Sequence, residues 1–317
     1  MHGTRSRSSG WNLIAVLIAT MAVFAACSSL PKQKTGVYTI QNEAAGYAQT
    51  GNSYFAQANY TMAERFFRMA LDADFSINNE PGIIASYDSL AKVYLAVGDL
   101  PAARAALAGA VSYANQVGTT VLLAHTQLVS SEIDLTTGNY SEAVTTLKSA
   151  ISVLEAAHDE LLANAYHDLG SAYKGLGEYP AAMKYLEEAL ALHTAANQVA
   201  LSASDQYMIA SVDSKQGNLA EAFVHAHDAL RLDKQMENTP GIGSDLRALG
   251  IISERQGKTS PAYDYYYSAL QVFRTTSDSA YVMDLLKRLE VLSTTMGRTA
   301  DAAGYAAAIK KLQDAAK

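Results

Sequence analysis

The sequence predicts an all-α solenoid built from about seven antiparallel helix hairpins. The first reason is a small residue that returns about every forty positions. It is found at Ala58, Gly98, Gly138, Gly177, Gly217, Gly257 and Gly297. The second reason is that small or apolar residues recur at fixed helical offsets before and after each of these marks. The third is that no useful stretch alternates apolar and polar residues, so no strand is predicted.

Each unit is interpreted as two helices joined at the marked residue. In the fourth unit Gly170 precedes Gly177, and Ala182, Leu186 and Ala189 follow it. Offsets of three, four and seven positions lie on one helical face, so these residues predict two helices whose small faces meet. Glycine suits the turn because it adopts left-handed backbone conformations without steric cost.

The residues after the marks predict where the second helices begin. Pro101, Pro180 and Pro261 fall in predicted first turns, where the missing N–H of proline has no partner to lose. Polar side chains that directly follow a mark can accept hydrogen bonds from the free amides of a helix start. They are Asn59, Asp99, Asn139 and Asn218. The Pro-Gly-Ile segments at 81–83 and 240–242 occupy equivalent places and are interpreted as loops between units.

This pattern resembles the tetratricopeptide repeat (TPR), which combines a Leu-Gly pair, an aromatic residue, a turn glycine and later alanines. The fourth unit carries the best match, from Leu169, Gly170 and Tyr173 to Gly177 and Ala182. The resemblance covers roughly residues 44–317 and implies a right-handed superhelical solenoid with first helices on a concave surface. The period is longer than usual for the family, which implies longer helices. An unrelated helical solenoid is the alternative.

Four units depart from the family pattern at the aromatic position of the first helix. They carry Asp134, Asp213, Ser253 and Ser293 there. The longer period, with its longer helices, leaves the pitch of the superhelix open.

The first residues of the chain predict export. Arg5 and Arg7 precede an apolar stretch from Trp11 to Ala26, and Cys27 follows. A basic head, a short apolar core and small residues before a cleavage point are typical of a secretory signal. The lone cysteine stands where cleavage would make it the new N-terminus. This arrangement is similar to bacterial lipoprotein signals and implies a covalent lipid on Cys27; an uncleaved membrane anchor is the alternative.

The signal divides the chain into three predicted parts. Residues 1–26 form the lipoprotein signal peptide, 27–41 a lipidated tether, and 42–317 the TPR-like solenoid. The resemblance to lipoproteins implies a bacterial cell envelope protein anchored by its lipid. Where the organism has two membranes, Ser28 after the cysteine fits sorting to the periplasmic face of the outer membrane.

Charge argues against several partner classes. The chain has a formal net charge of −7, and loss of residues 1–26 leaves 22 Lys and Arg against 31 Asp and Glu, or −9. An acidic chain of this kind is not expected to bind nucleic acid or to adhere electrostatically to a membrane surface. Because there is only one cysteine, no intramolecular disulfide can form. Stacked apolar helix faces must supply the stability.

No motif predicts an enzyme. Ser89 and Lys92 match a spacing that places a nucleophile and a base one helical turn apart, but the accompanying motifs are absent, so the match is interpreted as chance. His125 and His167 are projected to one surface from neighbouring units without cysteines or a carboxylate cluster beside them. No metal is predicted, and no cofactor other than the covalent lipid on Cys27.

The family resemblance implies that partners bind the concave surface of the first helices. The projected groove positions are Asn52, Phe55, Lys92, Leu128, His167, Lys174, Tyr207, Lys215, Arg247, Arg255 and Lys287. The carboxy-terminal members of this set are mostly basic, which favours an anionic partner segment. The alternative is that these charges form an ordinary solvated surface.

Binding is the function that the resemblance implies. The leading hypothesis is a lipid-anchored adaptor or scaffold of the cell envelope that holds partner proteins in the concave TPR groove. The alternative is a small-molecule-binding accessory component of an envelope transport system. The family's chaperone-binding clamp needs Lys and Asn at set positions in consecutive first helices. That combination is absent, so chaperone tails are not expected partners.

Overall fold

The computed structural model describes residues 36–276 and 279–315. Within these ranges the chain forms fourteen helices and no strand. The helices are α1 (Val37–Ala56), α2 (Tyr60–Ser76), α3 (Glu80–Ala96), α4 (Leu100–Val117), α5 (Thr120–Thr137), α6 (Tyr140–Ala157), α7 (Leu162–Leu176), α8 (Tyr179–Ala195), α9 (Val199–Gln216), α10 (Leu219–Gln235), α11 (Thr239–Arg255), α12 (Thr259–Thr276), α13 (Ser279–Thr295) and α14 (Thr299–Ala315).

Consecutive helices pack as seven antiparallel hairpins, and each hairpin stacks on the next. The odd-numbered first helices of neighbouring units also contact one another from α1 to α11. No comparable contact joins the second helices in the part of the chain that the structure describes. The first helices are therefore closer together and form the inner, concave layer of a right-handed superhelical solenoid. We call the exposed face of this inner layer the groove.

The predicted turn positions within hairpins are confirmed. All seven marks have positive φ angles, from 55° at Ala58 to 90° at Gly217. Turns between hairpins use the same backbone region, but four of the five described turns are built on residues other than glycine: Asn78, His158, Asn197 and Glu237. Such residues enter this region at an energetic cost, which the packing on both sides must offset.

Alanine lies where the two helices of each hairpin cross. The alanines five positions after the marks are all 0% exposed in the first six hairpins. They are Ala63, Ala103, Ala143, Ala182, Ala222 and Ala262. The opposite helix contributes an equally small residue in the fourth hairpin, where a Cβ on Gly170 would overlap the Leu186 side chain. This close approach buries apolar surface along the whole solenoid, and it confirms the predicted meeting of small faces.

Helix starts are confirmed in part. The side chains of Asn59 and Asp99 accept hydrogen bonds from the amides of Met62 and Ala102, at 3.3 and 3.0 Å. Asn139 and Asn218 make no such bond. Asn218 instead donates its side-chain amide to the Asp213 carboxylate, at 3.4 Å.

The interpretation of the two Pro-Gly-Ile segments as loops is wrong. Pro81 and Pro240 lie in the first turns of α3 and α11. Proline is tolerated there because the first amides of a helix have no intrahelical acceptor. A Cβ on Gly82 would overlap the Asp74 carboxylate, and one on Gly241 would overlap Asp233, so the glycines make room for these acids.

The predicted signal peptide, Cys27 and most of the tether lie outside the described residues. Among the described helices, none is long and apolar enough to cross a membrane.

Candidate functional site

The groove contains a basic cleft of about 410 Å³ between α9 and α11. Three cationic side chains line it: Lys215, Arg247 and Arg255. Tyr207 lies at the same cleft, and Ile251 and Ile252 supply apolar wall. Four predicted groove residues from two neighbouring repeats are thus brought together. A cleft of this size and mixed lining is within the range of ligand-binding pockets in proteins.

Lys174 on α7 extends the positive charge towards the preceding unit. Its Nζ donates to the Met208 Sδ at 2.8 Å and to the Ser211 Oγ at 3.4 Å. Ser211 also lines the basic cleft. Burial first, and the neighbouring charge of Lys215 second, lower the pKa of Lys174. A lysine held near another cation and partly out of water favours an approaching anion.

The cations of the basic cleft differ in their partners. The Nε of Arg247 donates to the Asp284 Oδ2 at 2.9 Å, and its guanidinium lies over the Tyr281 ring at 5.5 Å from the centroid. Arg255 donates to the Ser214 hydroxyl at 2.7 Å and to the Ser214 carbonyl.

Unlike Arg247, the cations Lys174, Lys215 and Arg255 have no carboxylate partner among the described residues. Among the described residues, no carboxylate lies within 4 Å of a charged nitrogen of Lys174, Lys215 or Arg255. The cleft and the adjacent Lys174 therefore carry positive charge that the carboxylates of residues 36–276 and 279–315 do not neutralise.

The remaining predicted groove residues have three different surroundings. Asn52, Lys92 and Leu128 line a second cleft in the amino-terminal half. Phe55 packs edge-on against Tyr60, with ring centroids 5.5 Å apart. Lys287 is exposed on α13 and is not part of either cleft.

His167 belongs to a buried hydrogen-bond network. Its Nδ1 lies 2.6 Å from the Asp205 Oδ1, and the Nδ1 of His193 lies 2.6 Å from the Asp205 Oδ2. Asp205 is 0% exposed, and burial alone would raise its pKa. The two histidine hydrogen bonds outweigh burial and lower the pKa of Asp205. The network joins α7, α8 and α9, so its role is to hold two units in register.

The second histidine of the projected pair also has a carboxylate of its own. The His125 Nε2 lies 2.9 Å from the Asp159 Oδ2. The structure thus gives His125 and His167 separate partners. In residues 36–276 and 279–315, no group of three or more His, Cys, Asp or Glu has an arrangement that could hold a metal ion.

Sequence reasoning missed Ser211, Ser214, Asn164 and Asp168 as groove residues. The sequence did contain a pattern that could have identified them. The residues that line the clefts recur at spacings of three, four and seven along each first helix. Asp88, Ser89 and Lys92 show this stripe on α3. The predicted positions sampled only part of it.

Comparison with known proteins agrees with this geometry. Residues 122–195, which cover most of α5 and all of α6 to α8, match the family model described as tetratricopeptide repeat. Comparison with curated protein sequences finds no match.

Several solved structures share the fold. The apo form of RapI has a TM-score of 0.68 at 13% identity, over 86% of this chain and 76% of that chain. A Rap protein complexed with Competence and Sporulation Factor has a TM-score of 0.64 at 15% identity, over the same shares. Aspartyl phosphate phosphatase F from Bacillus subtilis has a TM-score of 0.57 at 13% identity, over 99% of this chain and 96% of that one.

At these identities the likeness concerns the fold alone. The protein is a helical-repeat solenoid whose first helices line a groove. More particularly, residues 122–195 match the tetratricopeptide repeat model, and the fold of the described residues is TPR-like.

Proposed function

We propose that this protein is a lipid-anchored adaptor of the bacterial cell envelope that binds an acidic segment of a partner protein in its groove. The observation that carries the proposal is the basic cleft with Lys174 beside it. Among the described residues, no carboxylate lies within 4 Å of a charged nitrogen of Lys174, Lys215 or Arg255. TPR-like solenoids use their concave surfaces to bind extended or helical segments.

Electrostatics favours an anionic occupant. The chain as a whole is acidic, so a local basic cleft gives the molecule a strongly uneven charge distribution. Such a cleft steers acidic segments into register and repels basic ones. The apolar wall at Ile251 and Ile252 provides contact area for side chains beside the acidic groups.

We expect reversal of two cleft charges to abolish most partner capture. The double variant Lys215→Glu with Arg255→Glu replaces two unpaired cations by carboxylates, and retention of a partner should fall at least tenfold. The measurement is the amount of protein that co-purifies with the lipidated chain from detergent-solubilised membranes, at low and at high salt. Because the attraction is electrostatic, high salt should weaken capture by the unchanged protein as well.

The matched control is Lys310→Glu with Lys311→Glu on α14. These lysines are exposed, lie outside both clefts and undergo the same change of charge. The control should retain the partner, and both variants should keep their helicity because surface charges contribute little to stability. Equal retention by the two double variants would contradict the proposal.

The alternative function, a small-molecule-binding accessory of an envelope transport system, is favoured by one observation. The cleft of about 410 Å³ is large enough for a small anionic ligand. The same purification distinguishes the two functions. A stoichiometric anionic molecule released on denaturation, without a protein partner, would favour the alternative.

The lipid anchor is supported by the sequence of residues 1–27 and has a separate test. Cys27→Ser should abolish incorporation of a tagged fatty acid and leave the precursor uncleaved. Trp11 is the only tryptophan, so the uncleaved variant should keep tryptophan fluorescence while the processed protein shows only tyrosine emission. Equal labelling of both forms would remove the anchor from the proposal.

A further inference from the structure

The amino-terminal half of the groove holds a second cleft of about 370 Å³. First helices of four successive units contribute to it. Its ionisable lining residues are Asp88, Lys92, His125, Glu132 and Asp168. We call it the acidic cleft because three carboxylates line it against one lysine and one histidine.

Asp88 is buried in the wall of this cleft with one oxygen unused. It is 9% exposed. Its Oδ2 accepts a hydrogen bond from the Thr126 hydroxyl at 3.1 Å, whereas its Oδ1 is buried without a hydrogen-bond partner. A buried carboxylate oxygen without a donor is energetically unfavourable. Burial raises the pKa of Asp88 to about 7.

Asp168 on α7 lines the next part of the same cleft and is half-buried, with its carboxylate open to the cavity. Burial raises the pKa of Asp168 to about 7 as well. Its pKa reflects burial and nearby charges, chiefly that of His167, and no side-chain hydrogen bond contributes to it. Two carboxylates from different units therefore line one cavity, and one of them, Asp88, has a buried oxygen without a hydrogen-bond partner.

Lys92 and His125 of the acidic cleft already have carboxylate partners. The Lys92 Nζ lies 2.9 Å from the Glu132 Oε1, and His125 bonds to Asp159. Neither is available to neutralise Asp88 or Asp168 fully. A donor for the Asp88 Oδ1 is therefore not supplied by the described residues.

We propose that the acidic cleft binds an organic cation, an alkylammonium or guanidinium group, through Asp88 and Asp168. Such a group donates several hydrogen bonds and brings the positive charge that the cavity lacks. A metal ion fits less well, because no group of three or more ligating side chains in the described residues has suitable geometry. The cation is carried either by a partner's side chain or by a free amine.

This proposal goes beyond the basic cleft and does not need it. The residues that line the two clefts come from different helices, the clefts carry opposite charge, and different variants test them. Failure of partner capture at the basic cleft leaves it standing, and its own failure leaves the adaptor proposal standing.

Binding should depend on pH in a defined direction. A bound cation favours the ionised carboxylates, so binding releases protons and strengthens as pH rises from 6 to 8. Besides Asp88 and Asp168, the charged groups facing the site are Lys92, His125, Glu132 and His167.

The test is calorimetric titration of the full chain in neutral detergent with two probes. One is spermidine; the other is the peptide acetyl-Ala-Lys-Ala-Lys-Ala-amide, with its norleucine analogue as control. At least one amine should bind, and Asp88→Asn with Asp168→Asn should weaken that binding at least tenfold. Preference for spermidine identifies a free amine as the source, and preference for the peptide identifies a partner side chain.

The control variant is Asp72→Asn with Asp264→Asn, which changes the net charge equally at exposed positions of α2 and α12. It should bind as the unchanged protein does. Asparagine is nearly the same size as aspartate, and thermal melts followed by circular dichroism check that each variant folds. Absence of binding for both amines, binding of the norleucine analogue at equal strength, or binding unaffected by the cleft variants would each overturn the proposal.

Discussion

Replacing Asp245 by asparagine is expected to raise the free energy of unfolding by about 3 kcal/mol at pH 8.5. Asp245 lies on α11, is 1% exposed and has an Oδ2 without a hydrogen-bond partner. The carboxylate of Asp233 on α10 faces it. Burial first, and the charge of Asp233 second, raise the pKa of Asp245 to about 8. Asparagine removes the buried charge and can donate to Asp233.

The direction of the pH dependence follows from the pKa difference. The folded state holds the Asp245 proton more tightly than the unfolded chain, whose pKa is 3.8. The contribution of this group to stability is therefore complete below pH 4 and is lost as pH rises towards 8. Converting the whole pKa difference between the folded and unfolded states into free energy gives an upper limit of about 6 kcal/mol. Relaxation of the structure around the ionised carboxylate reduces this value.

Urea unfolding followed by circular dichroism measures the effect at pH 5 and at pH 8.5. The stability gain of Asp245→Asn should shrink as the pH is lowered. Asp264→Asn on the exposed face of α12 is the matched control and should change stability by less than about 0.5 kcal/mol. A variant that is no more stable than the unchanged protein at pH 8.5 would show that Asp245 stays neutral or is solvated there.

The second large effect is expected at the hairpin crossing. Ala182→Leu should lower the free energy of unfolding by about 3 kcal/mol, because the added carbons have no space between α7 and α8. Ala182 is 0% exposed, and its carbonyl oxygen lies 3.1 Å from the position a Cβ on Gly170 would take. Ala103→Leu tests the equivalent crossing in the second hairpin, where Ala103 is also 0% exposed.

Lys184→Leu is the matched control for Ala182→Leu. Lys184 lies two positions further along α8, is exposed, and places its Nζ 4.8 Å from the centroid of the Tyr185 ring. Its replacement should cost less than about 1 kcal/mol. Thermal melts of the three variants make the comparison. Similar losses at Lys184 and Ala182 would contradict the packing of the crossing.

Hairpin turns and crossings were predictable because their constraints are local. A glycine with positive φ and an alanine at a fixed offset each leave a mark in the sequence that repeats with the unit. The turns at Asn78, His158, Asn197 and Glu237 were not predictable in this way. Asparagine and histidine enter the left-handed region more often than most residues, but they occur at many other places in the chain and do not repeat with the unit as the turn glycines do. The packing of the helices on either side imposes the conformation at these positions.

The site was predictable only in outline. Family offsets brought Lys215, Arg247 and Arg255 to one cleft, since they occupy related positions of neighbouring first helices. The side-chain pairs that form between neighbouring hairpins could not be predicted from the sequence. Whether Arg247 reaches Asp284, or His167 reaches Asp205, depends on the rotation between successive hairpins. Many small packing contacts together determine that rotation, so no single residue predicts it.

The stacking of hairpins on their sequence neighbours also has a consequence for how quickly the chain folds. Contacts between units join residues about one repeat apart, as His167 and Asp205 do over 38 positions. Chains dominated by such short separations fold fast, because little loop entropy is lost before contacts form. Each hairpin can dock as soon as the one before it is complete. During synthesis, which starts at the amino terminus, the hairpins can therefore fold and dock one after another in sequence order.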